Sequence, residues 1–199
     1  MFKQFLLAAA IASLTLAGSS RGYCHDELES GAAAETPSIQ PRSDATRLAQ
    51  GLLDQIMSWL ASNFDLPAIK VRPVIKFASK MELAMMTARD RAHFQGLPQA
   101  EALDQLNQRP VLALYDNTSK TIFLPDDWIG TSPVDQSVLV HEMVHHIQNL
   151  AELKFECPMA REKLAYLAQD KWLGRFGMSL EREFDVDMFT VLISSACVY

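Results

Sequence analysis

Between Ser132 and Leu150 the chain reads as one well-started helix, and the side chains on that helix restrict the fold more than any other feature. Ser132 caps free backbone N–H groups, and Pro133 suits a first helical turn. Val134, Val138, Val144 and Ile147 supply an apolar face for core contacts. The same segment carries His141-Glu142-Met143-Val144-His145. Residues four apart on a helix differ by about 40° around the axis and by one turn along it, so both imidazoles reach one point.

Two converging imidazoles with a glutamate on the adjacent flank suit a zinc ion and a general base. Zn2+ lowers the pKa of a bound water to about 7, and a carboxylate beside it accepts the proton during attack on a carbonyl. His141 and His145 are therefore expected as metal ligands and Glu142 as the catalytic base. A catalytic zinc needs a third protein ligand. Glu162 is the candidate, because it lies on the following helix, far enough along for the chain to reverse. Glu152 and Glu156 stand too close to the end of the first helix, and Glu181 and Glu183 remain as fallbacks. Glu162, Ala165, Tyr166, Gln169 and Leu173 form a stripe that mixes polar and small residues, as a polar site would require. His146, about 100° round from His145, is expected to be exposed or to support a ligand from behind.

The 199 residues suffice for one domain with a core, and 49% apolar with 21% charged residues is ordinary for a globular chain. A net charge of -6 offers no basic face for a phosphate backbone, so nucleic acid is excluded as an expected partner. Lys3 followed by the apolar run from Phe5 to Leu16 reads as an export signal too short to span a membrane. The expected organisation is a signal peptide over 1–22, a flexible tail over 23–42 and a single domain over 43–199. After signal cleavage no stable membrane span is expected, and the location is secreted or periplasmic. An oxidising compartment makes a disulfide the default for cysteines that meet. Cys157 and Cys197 are favoured over pairings with Cys24, which are still formally open.

Ser43 or Asp44 is expected to cap a helix with Leu48, Leu52, Ile56, Trp59 and Leu60 facing the core. Ile69 to Phe77 reads as a strand, with Pro73 marking an edge or bulge. Helical stretches follow over 79–93 and 101–107, with Met81, Met85 and Met86 as gap fillers rather than soft metal ligands. Val111–Tyr115 and Thr121–Leu124 form a hairpin around a turn-rich 116–120. Helices over 158–173 and from Ser179 towards Ile193 complete the reading.

Through His141-Glu142-Met143-Val144-His145 and the downstream Glu162 the sequence resembles the zincin metallopeptidases, and among them the glutamate-ligand gluzincins. The resemblance covers about residues 111–173. It implies an α+β zincin-like domain, mainly helical, with a small sheet or hairpin next to the motif helix, acting on a peptide or protein substrate. It also implies a strand edge above the motif helix that pairs with extended substrate, a role for which the hairpin from Ala113-Leu114-Tyr115-Asp116 through Thr121-Ile122-Phe123-Leu124-Pro125 is the expected element, with one edge left free after Thr121–Leu124. The chain departs from the gluzincin pattern in its shorter interval before the glutamate and in having Tyr166 where an acidic residue would stand. Tyr166 is a candidate catalytic residue, donating to a developing oxyanion, or else a half-buried aromatic of the core. The expected activity is zinc-dependent peptide hydrolysis by a monomer. The other reading is a zinc-binding, zincin-like scaffold without peptidase activity.

Overall fold

The computed structural model describes residues 40–96, 98–106 and 111–197. The expected signal peptide, most of the tail, Cys24 and His25 lie outside the described residues, as does the His93 side chain. The described chain forms an α+β fold of seven helices and a three-stranded sheet: α1 Gln40–Asn63, β1 Val74–Ala78, α2 Lys80–Gln95, α3 Gln99–Leu106, β2 Leu114–Asp116, β3 Thr121–Pro125, α4 Pro133–Leu150, α5 Pro158–Gly174, α6 Leu180–Phe184 and α7 Met188–Ser194. None of these helices is long and apolar enough to cross a membrane.

Helix α1 starts earlier than its capping residues suggest. Ser43 and Asp44 lie within its first turns, where Asp44 pairs with Arg47 instead of capping the end. Its buried side is Ala49, Leu52, Leu53, Ile56 and Leu60, while Leu48 faces outward. On α2 the expected methionine packing holds only in part: Met86 is half-buried, whereas Met81 is 64% exposed and Met85 50%, and the buried positions are Leu83 and Ala88. Ser79 caps α2 in a reciprocal box with Glu82.

The strand predicted over Ile69 to Phe77 is regular only from Val74, directly after Pro73, which has no N–H to give a ladder. The sheet order is β1-β3-β2, with β1 parallel to β3 and β2 antiparallel to it. Thr121–Leu124 is therefore the centre of the sheet, paired on both sides, and not the free edge expected of it. The edges of the sheet are β1 and β2, and β2 is the one beside the motif helix. The β2–β3 turn is organised by Asp116, whose carboxylate accepts from the backbone N–H groups of Thr118 and Ser119 and from the Ser119 hydroxyl.

The core gathers Leu53, Ile56, Leu60, Ile122, Leu124, Leu139, Met143 and Trp172 between α1, the sheet and the α4–α5 pair. Ser132 caps α4 as expected, accepting from the Asp135 N–H, and the chain entering that cap is pinned by Trp128. Trp128 Nε1 donates to the Asp135 carbonyl, and Gly130 N–H donates to the Asp135 carboxylate. Gly130 has φ +71°, and a Cβ there would sit 2.2 Å from the Trp128 ring, so only glycine fits this bend.

The single helix predicted from Ser179 towards Ile193 is two. Asp185 takes a left-handed conformation at φ 54° and ends α6, and Asp187 then caps α7 by accepting from the N–H groups of Phe189 and Thr190. Cys157 and Cys197 form a disulfide that joins the start of α5 to the end of the described chain.

Candidate metal centre

Helices α4 and α5 run against each other across a seam that includes the fully buried small residues Ala165 and Ala168. Small side chains there let the helix backbones approach, so that polar residues on the same stripe of α5 reach α4. Glu162 projects at one end of the seam and Gln169 two turns further on.

His141, His145 and Glu162 come together. Their Nε2 atoms are 3.2 Å apart, and the Glu162 carboxylate lies 3.3 Å from each, Oε2 towards His141 and Oε1 towards His145. Among the described residues this is the group of three that could hold a metal ion. Glu152, Glu156, Glu181 and Glu183 are not part of it; all four are exposed, and Glu183 lies on the rim of the cleft described below.

The supports behind the histidines determine what they offer. His141 Nδ1 lies 3.1 Å from Gln169 Oε1, and His145 Nδ1 lies 2.9 Å from Gln148 Oε1. The amide orientations are set from the other side: Gln169 Nε2 donates to Ser137 Oγ, Gln148 Nε2 donates to the Arg161 carbonyl, and Arg161 Nε donates to Gln148 Oε1. An amide oxygen only accepts, so both Nδ1 atoms carry a hydrogen and each ring leaves its Nε2 to face the Glu162 carboxylate. A cation taking the place of the Nε2 protons would be held by two lone pairs and a carboxylate. Tetrahedral ligands held about 2.0–2.1 Å from a zinc ion stand about 3.3 Å apart, which is the spacing found here. The donor set of two imidazoles and one carboxylate, with a fourth direction open to the cleft, fits zinc.

Glu142 forms part of the floor of that cleft and is only 7% exposed. Burial pushes its carboxyl up to about 7, opposed by His141 and assisted by the negative charge of Glu162; the Tyr115 backbone N–H also favours the ionised form. Glu162 is shifted the other way. Burial raises it, but hydrogen bonds from His141 and His145 outweigh burial and hold the carboxyl well below the usual range. The two glutamates thus differ by environment: one is held as an anion between the imidazoles, and the other is poised to take or give a proton near neutrality.

The cleft has a volume of about 880 Å³ and lies between the β2 edge with its preceding segment Val111–Ala113 and the walls formed by α5 and α6. Tyr166 lines it and packs edge-on against His141, with ring centroids 4.7 Å apart. His146 is neither exposed nor behind a ligand. It is fully buried, and its ring nitrogens meet the Tyr115 hydroxyl at 3.1 Å and the Val71 carbonyl at 2.8 Å. With Asn149, which donates to the same hydroxyl, it fastens β2 over the motif helix.

Sequence reasoning missed Gln148, Arg161 and Tyr115, and it saw Gln169 only as a polar member of a stripe. The available signal was weak. Gln148 follows His145 by three positions, one helical turn, which is where a supporting side chain can reach.

A family described as Domain of unknown function (DUF6647) matches residues 45–199, and because the match spans most of the sequence the chain belongs to that family. No curated protein matches the chain, and no solved structure does.

Proposed function

We propose that this member of a family of undefined function is an exported, zinc-dependent hydrolase with a zincin-like site, cleaving peptide bonds in extended substrates. The observation that carries the proposal is the convergence of two tautomer-fixed imidazoles and Glu162 beside a second, buried glutamate in an open cleft. His141, His145 and Glu162 would hold the ion. A zinc ion there would supply Lewis-acid activation of water and polarisation of the substrate carbonyl.

The chain's own groups do the rest. Glu142, with its carboxyl near neutrality, takes the proton of the attacking water and delivers it to the leaving nitrogen. Tyr166, on the cleft wall against His141, donates to the oxygen on which negative charge develops. The open β2 edge and the segment before it offer main-chain groups to an extended peptide, with Leu112 and Leu114 as contact side chains. The disulfide agrees with an oxidising location.

The test joins metal analysis of the purified protein to digestion of a broad peptide library. One zinc per chain is expected, with cleavage by the native protein. Glu142→Gln should keep zinc and fold while losing about 10²- to 10⁴-fold in kcat. Turnover unchanged in Glu142→Gln would refute the general-base assignment. Zinc without any cleavage by the native protein would leave the binding scaffold as the better reading.

A further inference from the structure

Arg161 stands directly before Glu162 and lines the same cleft. Its guanidinium is fixed on one side only. Nε donates to Gln148 Oε1 at 3.3 Å, and Nη2 donates to Asn117 Oδ1 at 2.8 Å and to the His145 carbonyl at 3.3 Å. A guanidinium has five N–H donors, and the two on Nη1 meet no acceptor among the described residues. Glu162 and Glu142 act on this cation through space, without an ion pair.

The local pairing gives those two donors a purpose. A divalent cation among His141, His145 and Glu162 would draw on Glu162 and Glu142, and among the described residues no carboxylate forms an ion pair with Arg161. A half-buried, immobilised cation with free donors is a receptor for an anion, and its planar N–H groups suit a carboxylate. The contact to the His145 carbonyl sets this receptor beside the ligand-bearing turn, and Asn117 sets it at the hairpin-turn end of the β2 edge.

We propose that Arg161 anchors a substrate carboxylate through Nη1, so that the cleft selects peptides bearing an acidic group close to the bond to be cut. The carboxylate belongs either to the C-terminus or to an acidic side chain. The proposal rests on the cleft being the substrate site of the hydrolase proposed above.

The experiment measures binding as well as turnover. Zinc-loaded Glu142→Gln protein is titrated with four acetylated leucine-phenylalanine peptides: the free acid, its amide, and amides carrying a glutamate or a glutamine beside the phenylalanine. At least one carboxylate peptide is expected to bind about tenfold to a hundredfold more tightly than its neutral counterpart, and the pair that differs identifies the source. Arg161→Met, in the same background and shown to retain one zinc per chain, should abolish that difference. A preference that survives Arg161→Met overturns the proposal. So does equal binding of all four peptides, a result that needs no variant and holds even if Arg161→Met fails to fold. Cleavage by native zinc protein without a carboxylate preference would remove the anchor and leave the hydrolase. A preference without cleavage would do the reverse.

Discussion

Behind each imidazole stands a glutamine, and those two amides set the direction of the lone pairs that a metal would use. Removing such a support typically costs 10- to 100-fold in metal affinity. Gln169→Ala and Gln148→Ala are each expected to weaken zinc binding by that order with the helical circular dichroism spectrum preserved, as read by competition with a chromophoric chelator. Native affinity in both variants would show that the histidines need no orienting partner. Glu142 makes a second prediction at this scale, about stability. Its carboxyl is raised from 4.5 to about 7, so between those values the folded metal-free protein holds a proton that the unfolded chain has released. Stability contributed by this group therefore falls as pH rises through that window. Glu162, shifted downwards, loses its contribution only as pH falls below 4.5. Metal-free Glu142→Gln should thus exceed metal-free native protein in stability at pH 8 by up to about 3 kcal/mol, the gain shrinking towards pH 5. Urea titrations in chelator at both pH values give the comparison, and a pH-independent difference would contradict the burial argument.

At the level of elements, the sequence shows what each segment is more clearly than what it sits beside. Helix α4 was legible because its start is chemical: a serine cap, a proline and an apolar period in one stretch. The strand at Thr121 was legible too, but its place was not. A β-rich run records that one or both faces are buried, whereas its neighbours depend on β1 returning in parallel from the far side of α2 and α3. The break between α6 and α7 was written in Asp185 and Asp187, a residue that tolerates the left-handed region and a helix cap, two positions apart. Continuous helical periodicity across them concealed it. The candidate ligands could be read because four-residue spacing is a property of one helix. Arg161 could not, since its meaning depends on Gln148 and the His145 carbonyl of α4 and on Asn117 of the β2–β3 turn, which the fold brings to it.

For the molecule as a whole, the disulfide is the longest covalent constraint among the described residues. Cys157 and Cys197, 40 residues apart, enclose α5, α6 and α7, and so hold both the Glu162 helix and the α6 wall of the cleft. Closing a loop of this size restricts the unfolded chain by about 3–4 kcal/mol. The double substitution Cys157→Ser with Cys197→Ser is expected to lower unfolding stability by that order, measured by urea denaturation against the oxidised native protein. An unchanged midpoint would mean that the bridge joins parts already fixed by packing.

The open edge of β2 has a different consequence. The groups that would grip a metal ion, together with the amides and hydroxyl behind them, all lie between Ser137 and Gln169, within two consecutive helices. The backbone N–H beside the Glu142 carboxylate comes from Tyr115, and Tyr115 is held over the motif helix by His146 and Asn149. Retention of metal is thus a local property of a helical pair, while readiness to react belongs to the sheet and helices together. A preparation with its full complement of zinc can still be inert, so an assay of metal content counts intact helix pairs, and only turnover counts intact molecules.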